Sequence, residues 1–394
     1  MTASLLNPHF IAFLVLLCLA RAVWPSRHSA VLGAVASAGL VAWASLQTFV
    51  VIASLTLFYI YPWHRLMRTS AYRTARPARQ RLCFALSVAG LVALLVTYKL
   101  YLRFDVPGLG GPWFRSEIIS LVGVSYFLFR AISFLHIQSI LPIDERSPWG
   151  LLYFFFFPPT LTSGPIQKYQ DFRQQLTTPE PLTKDSLAAA VYRITRGYFR
   201  KVFLASVLNS SVVWLLANGG NTAYVSALIV VVLYLYFYFD FAGYSDIAIG
   251  FGLLLGIRVP ENFRRPFLAT SVTEFWRNWH ISLVDWFRDQ VFIPLGGMSA
   301  GRLQSGLLAF LIMILCGLWH GFTLSFIIWG LWHGVILLSE AVSGSKPVPP
   351  SRRVGLVYWS RVLWTNARVA VAAVLFLPDT ASSLTVLRGF AHWW

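Results

Sequence analysis

Apolar stretches recur from residue 9 to residue 377 with no long polar interval between them, and no other feature constrains the fold so tightly. A helix rises 1.5 Å per residue, so about 20 apolar residues cross a hydrocarbon core of about 30 Å. The pattern predicts an all-α, polytopic membrane protein: one integral domain over residues 1–394 with about 10–11 transmembrane helices, joined by re-entrant and interfacial amphipathic helices. Composition agrees, with 57% apolar and 12% charged residues and a mean hydropathy of +0.63. Soluble domains carry about 25% charged residues.

The net charge of +17 sits in short loops between apolar spans, as the positive-inside tendency would place it. Nucleic-acid binding would need a single basic, aromatic-interleaved groove, and none is visible. Cys18, Cys83 and Cys316 have no CxxC spacing and lie in or beside apolar runs, so neither a disulfide framework nor a metal site is expected. The first residues lack a basic leader and a small-residue cleavage site, so residues 9–23 are expected to be a retained first span.

Residues 31–61 form one apolar run that as a single helix would measure about 46 Å, too long for one crossing. A break near Ser45 to Gln47 makes two short spans and puts Arg21 and Arg27 on the same, cytoplasmic side as the arginines of 65–81. The N-terminus is then outside. Leu82–Leu102 is the next span, DVPGLGGPW (105–113) an outer loop, and Ile118–Ile137 a returning span with an intramembrane Arg130 that needs an acidic or carbonyl partner, a structural ion pair being expected. In PWGLLYFFFFPPTLTSGPI (148–166), Pro158, Pro159 and Pro165 stop a helix from running through, so this stretch is expected to be re-entrant or broken and to line a cavity.

Residues 167–201 are the most polar stretch and read as a cytoplasmic interfacial segment, followed by spans near 202–217 and 223–239. FDFAGYSDIAIGFGLLLGI (239–257) then carries Asp240 and Asp246, which are expected to hydrogen-bond inside the bundle with Tyr244 and Ser245 as neighbours.

Ser271 and Glu274 make a capping box that predicts a helix over 271–291. Its polar and tryptophan-bearing sides make it amphipathic, lying at an interface or a cavity mouth. His280 falls at the margin of the apolar sector, with its ring toward the protein or membrane body. GLWHG occurs at 317–321 and again at 330–334, an offset of 13 residues, and Gly321 is a candidate stop for the first helix. His320 follows the apolar run Leu307–Leu318, where an imidazole is best neutral, the form a general base requires. Such a base could activate a hydroxyl to attack an acyl thioester. A structural role stays open for each of the three histidines.

At these residues the chain resembles the membrane-bound O-acyltransferase superfamily, in its bacterial branch that modifies cell-surface polymers. The matching elements are FDFAGYSDIAIG, the block PENFRRPFLATSVTEFWRNWHISLVDWFRDQVFIPLGG, and GLWHG with the WGLWHG that follows; the match is strongest over 120–340. The resemblance implies a ring of helices around a central funnel with a thin floor. It makes His320 the essential catalytic histidine and His280 the other hallmark, while His333 is a weaker candidate. Trp319, Asn278, Arg277, Asp240, Tyr244, Ser245 and Asp246 join His333 as candidates for substrate binding or for the cavity wall. No bound cofactor is implied. The donor would be a cytoplasmic thioester, acetyl-CoA or an acyl carrier protein; the acceptor would be a hydroxyl of an extracytoplasmic polymer or of a periplasmic or extracellular partner acyltransferase. The location implied is the bacterial cytoplasmic (inner) membrane.

Two branches compete for the donor. The alginate and cellulose O-acetylation proteins share the wording of the motifs most closely, which favours acetyl or another short acyl group. The teichoic-acid D-alanyl transfer proteins are closer in length to a chain ending at Trp394. A different class, a proton-coupled transporter or flippase using Asp240, Asp246 and the histidines as a relay, has no inverted repeat behind it.

Overall fold

The computed structural model describes residues 8–23, 29–104, 123–140, 148–178, 181–218, 222–297, 299, 301–349, 351, 353–377 and 380–391. The expected outer loop at 105–113 and the first residues of the span expected from Ile118 lie outside these. Among the described residues the regular structure is helical, with one isolated β-bridge between Phe263 and Trp279. Six helices are long and apolar enough to cross a membrane, and two shorter apolar helices accompany them. The chain is a multi-pass membrane protein. It divides into two compact units, one of residues 1–195 with 244–260 and one of residues 196–243 with 261–394.

In the first unit, α1 (Pro8–Val23) and α2 (Ser29–Ala44) precede the expected break. Ser45 is extended (φ −161°, ψ 100°), and its hydroxyl caps the next helix by accepting from Thr48 N–H at 3.2 Å. The chain restarts as α3 (Leu46–Met67), which contains a wide π-type turn over Leu55–Ile60. The arginine-rich connection leads into α4 (Pro77–Phe104), and α5 (Val124–Ile140) follows. The broken segment is as the prolines dictate: α6 (Pro148–Phe156) stops, and a single 3₁₀ turn covers Pro158–Thr160.

Phe127, Phe134 and the run Phe154–Phe157 are fully buried here with Tyr169 and Phe172 of α7 (Tyr169–Thr177). Arg130 lies at 1% exposure among them. Its guanidinium donates to the carbonyls of Phe154 (2.8 Å) and Phe155 (3.0 Å) and to Thr160 Oγ1 (3.4 Å), so carbonyls replace the expected ion-pair partner. The reason is local: a helix that stops at Phe156 leaves carbonyls without helical donors, and the cation satisfies them.

Of the expected interfacial segment over 167–201, Tyr169–Thr177 is a helix of its own, while the part from Lys184 is not separate from the next span. Lys184–Asn218 is one helix, α8, with a π-type turn at Phe199–Leu204, and its polar first half runs straight into apolar residues. Likewise the span expected at 223–239 and the motif after it are one 32-residue helix, α9 (Ala223–Leu254), about 48 Å long. Glycines let these helices approach closely within each unit. A β-carbon at Gly243 would lie 2.8 Å from the Gly197 carbonyl oxygen, and one at Gly250 2.8 Å from that of Ala190.

In the second unit the helix expected over 271–291 is broken. Val272–Trp276 (α10) ends after five residues, the chain crosses an irregular step through His280, and Ile281–Phe287 (α11) begins a new helix. Two long helices follow, α12 (Arg302–His320) and α13 (Leu324–Ser343), and then α14 (Gly355–Ala373) and α15 (Thr380–Gly389). The capping box holds in half: Ser271 Oγ accepts from Glu274 N–H at 3.1 Å, while Glu274 turns to Thr270 N–H (2.8 Å) and Arg353 (2.6 Å). Glu340 of α13 accepts from the N–H groups of Val272 and Thr273, each at 2.9 Å, and from Arg368 of α14 at 3.3 Å. A buried carboxylate thus satisfies the free donors at the start of α10 and ties three helices together.

Candidate active site

The doubled GLWHG is first a packing device. A β-carbon on Gly317 would lie 2.3 Å from the Phe326 carbonyl oxygen, and one on Gly330 2.7 Å from that of Met313. Both glycines therefore permit α12 and α13 to touch backbone to backbone. Gly321 follows the last residue of α12 in an extended conformation, and Thr323 caps α13, so the turn between the helices fixes His320 at a helix end. That is the stop expected of Gly321.

Aromatic rings wall in His320. Its ring centroid lies 4.5 Å from Trp319, 4.9 Å from Phe376, 5.4 Å from Trp329 and 5.7 Å from Phe326. It is only half-buried. His333, at 1% exposure, sits across Trp329 (4.9 Å) and against Trp276 (5.1 Å), and its Nδ1 has no hydrogen-bond partner in the protein. Trp329 therefore stands between the two GLWHG histidines.

His280 reaches the same cluster from the break between α10 and α11. Its backbone is left-handed (φ 47°, ψ 49°), a conformation costly for a side chain other than glycine. A short antiparallel pairing holds it there. Arg264 N–H donates to the Asn278 carbonyl (3.0 Å), Ile281 N–H to the Asn262 carbonyl (3.0 Å), and Ser282 through N–H (3.2 Å) and Oγ (2.7 Å) to Asn262 Oδ1. The His280 ring packs edge-on to Phe241 at 4.6 Å, lies 6.5 Å from Trp319, and is 5% exposed. Neither ring nitrogen has a hydrogen-bond partner in the protein. Burial first, and the neighbouring His320 second, push this imidazole down to about 3, so it is neutral.

The structure thus brings His280, Trp319, His320 and His333 into one ring cluster. The helical projection placed the His280 ring on the inner side for the wrong reason, since no continuous helix runs through it. Arg277 is exposed on the last turn of α10, and Asn278 donates through Nδ2 to the Glu274 carbonyl at 2.8 Å, a helix-end role. Asp240 pairs with Lys201 at 2.5 Å, and Asp246, in the other unit, pairs with Arg193 at 2.6 Å. Tyr244 shares a hydrogen bond with Thr162, and Ser245 is buried. Two carboxylates held by cations suit helix packing better than a proton relay. Sequence reasoning missed Asn262, Ser282, Glu340 and Trp329. The PENF and NWHIS words carried a signal for the first two, but their pairing is set 20 residues apart.

This arrangement can do base chemistry: one half-buried imidazole at a helix end, with a neutral, unpartnered imidazole beside it and aromatic rings around both. The membrane-bound O-acyltransferase family model matches residues 141–346. A protein of Pseudomonas putida named "probable alginate O-acetylase AlgI" is 33% identical over 364 residues, covering 90% of this chain and 72% of its own length. The like-named Pseudomonas aeruginosa protein is 33% identical, with 82% of this chain and 63% of its own length covered. A teichoic acid D-alanyltransferase of Bacillus subtilis is 30% identical, with 73% of this chain and 74% of its own covered. The chain belongs to the membrane-bound O-acyltransferase family and is an O-acyltransferase.

Proposed function

We propose that this enzyme passes a short acyl group, acetyl in the first instance, from a cytoplasmic thioester to a hydroxyl on an extracytoplasmic polysaccharide or partner protein, with His320 as the base. The observation that carries the reading is His320 itself: half-buried, at a helix end, enclosed by four aromatic rings, with the neutral His280 nearby. An imidazole nitrogen of His320 takes the proton of the acceptor hydroxyl as its oxygen bonds to the thioester carbonyl carbon. The carbon–sulfur bond then breaks, and the thiol leaves with that proton.

His280 is the second catalytic group. Its two buried ring nitrogens have no partner in the protein, so substrate polar atoms are the groups that would satisfy them. Trp319 lies between the two histidines and orients both rings. His333 acts through Trp329 and positions rather than reacts.

The similarity to the Pseudomonas putida protein extends over more of this chain, 90%, than that to the Bacillus subtilis D-alanyltransferase, 73%, which supports acetyl. D-Alanyl transfer from a carrier protein is the second reading, favoured by the similarity to the Bacillus subtilis protein. The location proposed is the bacterial cytoplasmic membrane with the N-terminus outside, from the arginine-rich connection over 65–81. Mass analysis of the envelope polymers from cells with and without the protein tests the reading. An ester increment of acetyl mass supports it, D-alanyl mass selects the second reading, and no difference contradicts both.

A further inference from the structure

Glu340 lies on α13 about two turns beyond His333, and with Trp329 and His333 it falls on one face of that helix, within about 40° in projection. That face grips α10 at both ends. At the start, Glu340 Oε1 accepts from Val272 N–H (2.9 Å), and Oε2 accepts from Thr273 N–H (2.9 Å) and Thr273 Oγ1 (2.8 Å). At the other end, Trp276 meets Trp329 edge-on at 5.6 Å and His333 at 5.1 Å. Helix α13 is itself fixed to α12, the helix of His320, by the Gly317 and Gly330 contacts. Helix α10 has five residues, too few to hold its own place, and the Trp276 indole N–H has no hydrogen-bond partner in the protein. The anchored start of α10 therefore sets the Trp276 ring, and that ring backs Trp329, which faces His320 at 5.4 Å. With Arg368 donating to Oε1 at 3.3 Å, each oxygen of the buried Glu340 accepts two bonds, so Glu340 acts on the site only through what it holds.

We infer that Glu340 is a positioning residue for acyl transfer: by clamping the start of α10 it holds the Trp276 ring behind Trp329 and so keeps the wall against which His320 is oriented. The inference rests on the reading of His320 as the base. Removing the clamp leaves every group of the histidine cluster present but lets the wall shift, and a misplacement of about 1 Å at a reacting group costs on the order of 100-fold in rate. Donor binding does not depend on how the imidazole is aimed in the transition state. The effect therefore falls on kcat rather than on KM.

The test uses the full chain in lipid nanodiscs, with kcat and KM for the thioester measured well below the unfolding midpoint and referred to folded protein. Glu340→Gln keeps the size of the side chain and turns one acceptor oxygen into a donor amide, which cannot accept from the N–H groups of α10. It should lower kcat about 10–100-fold with KM within about twofold of native. Thr273→Val removes only the hydroxyl bond and should lower kcat about threefold, which decides the matter if Glu340→Gln does not fold. In a Trp276→Leu background the further effect of Glu340→Gln should shrink to about twofold or less, because the ring it acts through is gone. A kcat within about twofold of native in every folded single variant at Glu340 or Thr273, a loss carried by KM, or the full fall persisting in the Trp276→Leu background overturns this role and leaves the reading of His320 standing. Native-rate transfer by folded His320→Ala overturns the base reading and this role with it.

Discussion

Ser282 donates two hydrogen bonds to the side-chain oxygen of Asn262, from its N–H at 3.2 Å and its hydroxyl at 2.7 Å. Both residues are buried, and the contact clamps the start of α11 two residues beyond His280. Asn262→Ala removes the acceptor that these two buried donors share. Such a loss costs about 1–3 kcal/mol, read as a lower unfolding temperature in detergent, and acyl transfer should fall with it. Asn262→Ala with both properties unchanged contradicts this role for the pairing.

The glycines of GLWHG separate packing from chemistry. Gly317→Ala places a methyl group 2.3 Å from the Phe326 carbonyl, backbone that cannot yield without opening the α12–α13 contact. A cost of about 3 kcal/mol or more is expected, seen as poor folded yield. Gly301, with open space around its α-carbon, is the control, and Gly301→Ala should fold normally.

Arg130 carries no chemistry in this account, yet its loss should be severe. Arg130→Met strands the Phe154 and Phe155 carbonyls in a buried aromatic core, costing about 3 kcal/mol or more. The thermal unfolding midpoint checks this, and a midpoint within a degree or two of the native one contradicts it.

Stability should depend on pH through His280. Its folded-state value is pushed down to about 3, below the ordinary imidazole value of 6.5. On acidification the unfolded state therefore takes up a proton that the folded state refuses. The stability of the neutral buried ring is present above about pH 6.5 and falls by about 1.4 kcal/mol per unit below it, until the folded form titrates. His280→Gln should flatten that part of the acid-unfolding curve, and an unchanged curve contradicts the buried neutral imidazole.

Residues whose partners are close in sequence, or whose geometry follows from bilayer thickness, were legible before the structure. The break at Ser45 came from run length, the stop at Gly321 from the glycine, and the broken segment after Phe156 from prolines. Contacts between distant segments were not legible. Arg193 and Lys201 stand 53 and 39 residues from the aspartates they hold, and nothing local in either sequence marks the pairs. The 271–291 stretch misled because helical projection presumes an unbroken helix. The pairing with 262–264, which interrupts it and turns His280 inward, depends on residues outside the window. His320 was legible from its motif, whereas the enclosure by Phe376 and the link through Trp329 to His333 required the fold.

The central claim is that His320 is the base. The direct measurement is acyl transfer by purified His320→Ala in nanodiscs, with thioester donor and hydroxyl acceptor supplied and folding verified by the unfolding midpoint. The account predicts transfer lowered by roughly 10²–10⁴-fold with the midpoint retained. Transfer at the native rate by folded His320→Ala would contradict it.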